Sequence, residues 1–252
     1  MTAVFVHGVP ETPSVWSPLL AALERDDTAA LQLPGFGCAL PDGFEPTMYR
    51  YADWLAAELA AFDEVDLVVH DWGAILALRV LADRPANVRS WVSDMGDLGD
   101  DFRWHGSART FQTPGEGEAA VDAMVGAGAD DRAALLVAVG VPEAPAPEMA
   151  RHLDRTMGRS ILALYRSAVD VGTEWGPVVD AIEAPGLLIE SGRDPFRSSG
   201  RVRRLAERTG AERVELPDAG HFWMLEDPAG VARVLTGFWS RLGREAPGDG
   251  HR

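Results

Sequence analysis

The sequence has 252 residues, of which 39 are acidic and 23 basic, and its formal net charge is −16. All 23 basic residues are arginines, which excludes lysine Schiff-base chemistry and the P-loop, whose signature contains a lysine. A strongly acidic chain repels phosphate groups, so we expect no nucleic-acid partner. The single cysteine, Cys38, permits no intramolecular disulfide and no thiolate zinc cluster. We expect no metal and no cofactor.

The size and composition of the chain are those of a globular protein. Hydrophobic residues make up 46% of the sequence and charged residues 25%, and the length fits one large domain or a domain with an insertion. No apolar stretch approaches the roughly 18 residues needed to span a bilayer, and the N-terminus lacks the layout of a signal peptide. We therefore expect a soluble, cytoplasmic monomer or homodimer with no membrane contact.

Four strands alternate with helices in the first third of the chain. The apolar runs predict strands at 2–7, 28–33, 65–69 and 88–92. Helical spacing predicts helices around 15–23, at 48–62 and from residue 72 onward. Strands that are apolar throughout and alternate with helices indicate a parallel sheet covered by helices on both faces.

This alternation stops after residue 95. Residues 96–180 show helical segments, no convincing strand, and Gly/Pro-rich breaks at 112–117 and 141–147. The alternation then resumes with strands at 186–190 and 213–216 and helices at 202–209 and 228–242. We predict an α/β core from residues 1–95 and 181–243, a helical cap from 96–180, and a disordered tail from 244–252.

The third strand leads into the sharpest local pattern. It is followed by His70-Asp71-Trp72-Gly73-Ala74, which opens a helix rich in small residues. This pattern is typical of a nucleophile elbow, a strand-to-helix turn that presents one side chain, here Asp71, at the edge of the sheet. The positive end of the helix dipole favours an ionised carboxylate there. The alternative is that Asp71 is only the N-cap of that helix.

Two later strands are followed by side chains that could act together with Asp71. Asp194 follows the fifth strand and His221 follows the sixth. Taken alone, Asp194 is more typical of a turn residue, and His221 of a loop or core histidine. The chain order of nucleophile, acid and histidine is, however, the order of the α/β-hydrolase triad.

These motifs resemble the α/β-hydrolase superfamily and, within it, the Asp-nucleophile branch of epoxide hydrolases and haloalkane dehalogenases. The matching segments span nearly the whole chain and are His7–Glu11, Leu33–Gly37, His70–Ala74, Gly192–Pro195 and Gly220–Phe222. The resemblance implies an α/β-hydrolase fold, with Asp71 as nucleophile, His221 as base and Asp194 as the orienting acid. It also implies that the backbone N–H groups of Val9 and Trp72 form the oxyanion hole.

The sequence departs from the family pattern at two points. Val69 stands where many elbows have glycine, and the chain begins at what would be the third strand of the family. We therefore expect a sheet of about six strands without the usual N-terminal antiparallel hairpin. Asp94, after the fourth strand, is a second candidate for the triad acid because some dehalogenases place theirs there.

An aspartate at the elbow indicates displacement at saturated carbon. A serine alkoxide that attacked such a carbon would leave an ether, whereas a carboxylate leaves an ester whose carbonyl carbon water can attack. The expected cycle is attack by Asp71, followed by hydrolysis of the ester by water that His221 deprotonates. We find no Gly-x-Ser-x-Gly motif, which disfavours an acyl-transfer esterase.

The sequence contains candidate donors for two kinds of leaving group. An epoxide oxygen needs a proton donor, and Tyr165 in the cap is a candidate, whereas a halide needs only N–H donors, which Trp104 or Trp175 could supply beside Trp72. The first motif looks more like that of epoxide hydrolases, so we favour hydrolysis of a small apolar epoxide. A haloalkane dehalogenase is the alternative, as is a haloacetate dehalogenase that uses Arg103 and Arg109. A non-catalytic binding protein with this fold is a third possibility.

Overall fold

The computed structural model describes residues 1–196 and 198–245. Its centre is one sheet of six strands, all parallel, in the order β2-β1-β3-β4-β5-β6. The strands are β1 (Thr2–Val6), β2 (Thr28–Leu31), β3 (Val65–Val69), β4 (Val88–Ser93), β5 (Gly186–Ser191) and β6 (Glu212–Leu216). The predicted α/β fold with about six parallel strands is confirmed.

Helices connect the strands and cover the sheet. They are α1 (Ser17–Ala22), α2 (Met48–Leu59), α3 (Trp72–Ala82), α4 (Gly106–Gln112), α5 (Glu116–Gly126), α6 (Ala129–Ala138), α7 (Ala146–Ala150), α8 (Arg155–Ser167), α9 (Val171–Trp175), α10 (Ser199–Thr209), α11 (Trp223–Glu226) and α12 (Pro228–Glu245). Two short 3₁₀ helices, Pro13–Trp16 and Pro177–Ala181, complete the described part of the chain. No described helix has both the length and the apolar composition needed to cross a membrane.

The segment in which we predicted the cap lies between β4 and β5. Its described residues form α4 to α9 and contain no strand. Helix α8 is the most amphipathic of these helices, with Ile161, Leu164 and Tyr165 on its buried face. Helices α5 and α8 contact each other, as do α4 and α8. Helices α4 and α5 therefore pack against α8, whose buried face includes Tyr165.

The element boundaries differ from the prediction at several ends. Strand β2 ends at Leu31 rather than at Leu33, because the Leu33 N–H turns away from the sheet and donates to His7 Nε2 at 3.2 Å. Helix α11 was not predicted, since four residues are too few to show a helical period. Helix α12 runs to Glu245, two residues into the predicted tail. The rest of that tail, 246–252, lies outside the described residues.

A buried charge lies inside the central strand β3. All five residues of β3 are buried, including Asp66. Its carboxylate accepts hydrogen bonds from Arg89 Nε at 3.0 Å, from Arg89 Nη2 at 2.6 Å and from Ser90 Oγ at 2.5 Å. Burial of an unpaired carboxylate would be strongly unfavourable. The donors on β4 compensate the Asp66 charge, and β3 can therefore lie in the middle of the sheet.

Candidate active site

The three predicted triad residues meet at one edge of the sheet. Asp71 follows β3, Asp194 follows β5 and His221 follows β6. The carboxyl ends of parallel strands lie on the same edge, which is where open α/β sheets bind ligands. Residues that are up to 150 positions apart in the sequence therefore converge there.

The turn at Asp71 has the strained backbone of an elbow. Asp71 has φ 49° and ψ −118°, a region that side chains with a Cβ rarely adopt. Two glycines make room for the turn. A Cβ on Gly8 would lie 2.5 Å from the Asp71 Cβ, and one on Gly73 would lie 2.5 Å from the Val6 carbonyl oxygen. Val69, where many elbows have glycine, is accommodated within β3.

His221 lies between the two aspartates. Its Nδ1 is 2.9 Å from Asp194 Oδ2, and its Nε2 is 3.9 Å from Asp71 Oδ2. The other carboxylate oxygen of Asp194 accepts the Phe196 N–H at 2.7 Å, which fixes the orientation of the carboxylate. This geometry leaves Nε2 facing the elbow, as a base that acts on water at Asp71 requires.

The loop after β1 supplies a backbone donor to Asp71. The Val9 N–H donates to Asp71 Oδ1 at 2.9 Å. The Gly8 N–H donates to Glu11 Oε2 at 3.0 Å, which holds the loop in place. Among the described residues, the Trp72 N–H makes no hydrogen bond to the Asp71 carboxylate. Of the two predicted oxyanion-hole donors, only Val9 is therefore engaged in this state.

Opposing influences set the protonation of the triad. Burial raises the pKa of the Asp71 carboxyl above its usual value, and His221, His70 and the Val9 N–H oppose that rise. For His221, burial and the positive charge of His70 lower the pKa, but Asp194 and Asp71 outweigh them and raise it. The Asp71 charge therefore helps to hold a proton on His221.

Asp94 has a different set of partners from Asp194. Its Oδ2 contacts His70 Nδ1 and accepts from Trp223 Nε1 at 2.7 Å, while its Oδ1 accepts the Asp71 N–H at 3.2 Å. Asp94 thus binds the backbone of the elbow rather than His221. The two candidates for the triad acid are distinguished by this geometry, which favours Asp194.

A buried charged group lies directly behind the triad. His70 Nε2 is 3.1 Å from Glu11 Oε1, and its Nδ1 contacts Asp94. Burial disfavours a charged imidazole, but Asp94 and Glu11 together raise the pKa of His70 well above its usual value. Deeper in the core, burial lowers the pKa of His7 to about 4, so that ring is neutral at physiological pH. Nothing in the sequence pattern indicated that His70 bridges two carboxylates.

One group of residues has the atoms to bind a metal. Ligand atoms of Glu11, His70 and His221 all lie within 4.8 Å of one another, and this is the only such group among the described residues. The same two carboxylates that surround His70 favour its protonated form, which cannot ligate a metal. The arrangement therefore suits a proton on His70 better than a metal ion.

The predicted leaving-group residues are placed very differently. Tyr165 is buried, with its ring edge-on to Trp72 at 5.1 Å between centroids. Burial and the Asp71 charge raise the pKa of the Tyr165 hydroxyl above its usual value.

The Trp72 indole N–H is buried without a hydrogen-bond partner in the described chain. Trp104 Nε1 donates to the Ala168 carbonyl at 2.8 Å, so its N–H is already engaged. Trp175 packs against Tyr49, away from the elbow.

Two cavities open onto the elbow. Asp71, His105, Phe196 and His221 line both. The first, which we name the cap cavity, has a volume of about 330 Å³. Its other lining side chains are mostly apolar and include Phe111, Met124, Leu135, Leu136, Val139 and Tyr165. The second, the arginine cavity, has a volume of about 300 Å³ and is lined by Met95, Phe102, Arg103, Ser198, Arg201 and Val202.

His105 is a site residue that the sequence did not single out. It lies before α4, and its Nδ1 accepts the Ala108 N–H at 3.4 Å. Burial lowers its pKa, as do the charges of His221 and Arg109. A neutral ring that accepts at Nδ1 carries its proton on Nε2, where it can donate. The only sequence signal was its position in the cap.

The family assignment follows from a sequence match that covers most of the chain. The sequence model described as "Alpha/beta hydrolase family" matches residues 3–234. The chain belongs to the alpha/beta hydrolase family. No curated protein matches this alpha/beta hydrolase closely enough to add to that assignment. The superfamily predicted from the motifs is confirmed.

Solved structures similar to this alpha/beta hydrolase include enzymes of several activities. A loop variant of a haloalkane dehalogenase from Bradyrhizobium elkanii has a TM-score of 0.77 and 21% identity, over 98% of this chain and 91% of the other. A candidate epoxide hydrolase from Pseudomonas aeruginosa has a TM-score of 0.77 and 19% identity, over 96% and 90%. E-2-(acetamidomethylene)succinate hydrolase has a TM-score of 0.73 and 20% identity, over 95% and 91%. At these identities the likeness establishes the shared fold.

Proposed function

We propose that this alpha/beta hydrolase acts at saturated carbon through an ester of Asp71, and that it converts a small epoxide to a diol. The observation that carries the proposal is a carboxylate, rather than a hydroxyl, at the elbow, with His221 Nε2 3.9 Å from it. A carboxylate at this position makes an intermediate that the neighbouring imidazole can hydrolyse. The buried Tyr165 hydroxyl in the same cavity supports an epoxide as the substrate.

In the first half-reaction, Asp71 Oδ2 attacks an epoxide carbon. The bonding electrons of the breaking C–O bond move to the epoxide oxygen, which takes a proton from the Tyr165 hydroxyl. An alkoxide is a poor leaving group, so this proton transfer lowers the barrier. Because the pKa of Tyr165 is raised, the hydroxyl is protonated before the reaction. The product is a hydroxyalkyl ester of Asp71.

In the second half-reaction, water attacks the carbonyl carbon of that ester. His221 Nε2 takes a proton from the water, and the Val9 N–H, which donates to Asp71 Oδ1, stabilises the negative charge on the carbonyl oxygen. The acyl C–O bond to the diol then breaks, the leaving diol oxygen takes the remaining proton of the attacking water, and the Asp71 carboxylate is restored. The proton on His221 returns to the Tyr165 phenolate through solvent, which balances the cycle as epoxide plus water to diol.

Formation of the ester favours the neutral form of His221, the form that can act as a base. The negative charge of Asp71 is one of the influences that raise the pKa of His221. When the ester forms, that charge leaves Asp71, which lies 3.9 Å from His221 Nε2, and appears on the Tyr165 phenolate. The contribution of Asp71 to the raised pKa of His221 is therefore lost at the step that needs a neutral imidazole. The Asp71 charge is thus absent during the step in which His221 must be neutral.

His105 is suited to assist Tyr165. It lines both cavities beside Asp71, and its ring centroid is 6.5 Å from that of Tyr165. As a neutral ring with a proton on Nε2, it would donate a second hydrogen bond to the epoxide oxygen. This residue would compensate for the presence of only one tyrosine in the cap cavity.

A haloalkane is the second candidate substrate. The observation that favours it is the unpartnered, buried indole N–H of Trp72 next to the nucleophile, because a halide leaves as a stable anion that needs only N–H donors. Against it, the Trp104 N–H is bound to Ala168, and the Val9 side chain has no donor. The epoxide therefore remains the first choice.

The test is single-turnover incubation of the His221→Gln variant with terminal epoxides and short haloalkanes, followed by intact-protein mass spectrometry. Removal of the base should trap the Asp71 ester. An adduct equal to the whole epoxide mass supports the proposal. An alkyl adduct with halide release supports the dehalogenase. The control is the Asp71→Asn, His221→Gln double variant, which cannot form the ester. If the folded His221→Gln variant forms neither adduct and behaves like this control, a covalent role for Asp71 is overturned.

A further inference from the structure

The elbow has room for a substituent on each side of a reacting carbon. The cap cavity and the arginine cavity share Asp71 and His221, so a carbon bound at Asp71 Oδ2 lies where they meet. The cap cavity offers an apolar wall to one substituent. The arginine cavity, which Arg103 and Arg201 line, offers a positively charged environment to the other. A substrate that fills both must therefore be amphipathic.

The two arginines retain free donors. Arg103 Nη1 donates to the carbonyl oxygens of Asp100 and Phe102 at 2.9 and 2.6 Å. Arg201 Nη2 donates to the Asp101 carbonyl at 2.6 Å, and its guanidinium lies 4.8 Å above the Phe102 ring. These contacts are with backbone and ring atoms, and they leave other guanidinium N–H groups without an acceptor in the described chain.

Neither arginine forms an ion pair with a carboxylate among the described residues. Their neighbours differ in this respect. Arg204 binds the carboxylates of Asp97 and Asp101 at 2.7 and 2.8 Å, and Arg208 binds Asp97 at 2.6 Å. Arg204 and Arg208, which bind these carboxylates, do not line the arginine cavity, whereas Arg103 and Arg201 do. The two arginines that line the cavity are therefore the two without a carboxylate partner among the described residues.

The carboxylates of the arginine cavity do not compensate these charges. Asp94 is paired with His70, and Asp194 with His221. Asp71 is the remaining one, and its charge is consumed when the ester forms. Helix α10, which has 11 residues, begins beside Ser198 at the cavity wall. Its N-terminal end adds a partial positive charge to those of the arginines.

We propose that the arginine cavity is a subsite for a carboxylate group of the substrate, which makes the preferred substrates amphipathic epoxy acids. The apolar arm lies in the cap cavity, the epoxide at Asp71, and the carboxylate at Arg201 and Arg103. A planar guanidinium binds a carboxylate through two parallel hydrogen bonds. This inference rests on the proposed function, and it adds a charged arm to the small epoxide considered there.

A bound carboxylate would also relieve a local repulsion. The pKa of Arg201 is lowered by burial and by the charges of Arg204 and Arg103, against the influence of Asp101. An anion between Arg103 and Arg201 would offset both effects. The net charge of −16 repels anions at long range, but salt screens that repulsion beyond about 10 Å at 0.1 M ionic strength. The nearby charges of Arg103 and Arg201 therefore decide whether a carboxylate binds in the arginine cavity.

The test compares an epoxydecanoate whose epoxide lies near mid-chain with the corresponding primary amide. We expect wild-type kcat/KM to favour the acid, and the acid-to-amide ratio to fall about 10- to 100-fold in Arg201→Gln, as expected for the loss of hydrogen bonds to a charged group. Arg201→Lys keeps the charge and should retain part of the preference. Arg203→Gln, on the exposed side of α10, should leave the ratio unchanged. A wild-type ratio near one, or an unchanged ratio in Arg201→Gln, would overturn the inference.

A binding measurement separates this inference from the proposed function. Octanoate and octanamide have the same alkyl chain as each other and no epoxide, so neither can be turned over. Their binding can therefore be measured by calorimetric titration. We expect wild type to bind octanoate more tightly than octanamide, and Arg201→Gln, which keeps Arg103, to lose most of that difference. If no epoxide is hydrolysed and no Asp71 adduct forms, the proposed function fails and this titration alone decides the subsite. Equal binding of both ligands by wild type would refute it.

Discussion

The imidazole rings of His70 and His221 lie with their centroids 4.5 Å apart and their planes tilted by 53°. Burial lowers the pKa of His70, but Asp94 and Glu11 together raise it well above its usual value, which favours the charged ring. A buried positive charge therefore lies directly behind the proposed base. The charge lowers the pKa of His221 and so favours the neutral imidazole that ester hydrolysis requires.

Replacement of His70 should change the pH dependence of the second half-reaction. In His70→Gln the positive charge is lost, so the pKa of His221 rises. Hydrolysis of the ester needs neutral His221, and we expect its rate to reach its plateau at a pH higher by about one unit. Single-turnover decay of the ester across pH measures the shift. His152→Gln, on a partly exposed cap histidine, should leave the profile in place. A folded His70→Gln protein with the wild-type profile would contradict the prediction.

Removal of the Tyr165 hydroxyl should slow epoxide opening specifically. Tyr165→Phe keeps the ring contacts with Trp72 and Trp104 but removes the proton donor. General-acid catalysis contributes about 10²- to 10⁴-fold, and we expect ester formation from an epoxide to slow by about 10²-fold if His105 remains as a donor. Rapid-quench measurement of the Asp71 adduct gives this rate. Tyr49→Phe, which removes an exposed hydroxyl paired with Glu174, is the control, and equal rates in both variants would exclude Tyr165 as the acid.

The two aspartates near His70 and His221 should have separable roles. Asp194→Asn removes the carboxylate that orients His221, and we expect ester hydrolysis to slow by about 10³- to 10⁴-fold with little change in stability. Asp94→Asn weakens a buried contact with the charged His70, and we expect it to lower the free energy of unfolding by about 2–3 kcal/mol. Ester decay and urea denaturation measured on both variants test this division. The assignment of the triad acid would be wrong if Asp94→Asn alone arrested ester decay.

The buried carboxylate of Asp66 should be essential for stability but not for chemistry. Asp66→Ala leaves Arg89 and the buried Ser90 hydroxyl without their acceptor, and breaking a buried ion pair costs about 3–5 kcal/mol. Because the Arg89 side chain is 21% exposed, we expect a value near the lower limit. Urea denaturation measures the loss. Asp27→Ala, which breaks the exposed pair with Arg25, should cost less than about 1 kcal/mol, and similar losses in both variants would contradict the prediction.

Local sequence was sufficient for the sheet and for the order of the site residues. Apolar runs at β1, β3 and β5 are long enough to identify buried strands, and each candidate triad residue directly follows a strand. Since the carboxyl ends of parallel strands share an edge, the proximity of Asp71 and His221 follows from topology alone. Topology alone does not distinguish Asp194 from Asp94, because both follow strands that end at that edge, and the preference for Asp194 came from the family resemblance.

Tertiary structure decided everything that depends on the direction of a side chain. Sequence left Trp104 and Trp175 as equal candidates for the leaving group, but in the fold the Trp104 N–H is bound to Ala168 and Trp175 packs on Tyr49. The bridge from Glu11 through His70 to Asp94 joins three separate loops. Spacing along the chain reports which face of an element a residue occupies, whereas hydrogen-bond partners and cavities depend on how elements that are distant in the sequence pack against one another. The sequence by itself therefore specified the α/β sheet, the elbow and the order of the triad candidates, and only the packed structure specified the partners of each charge.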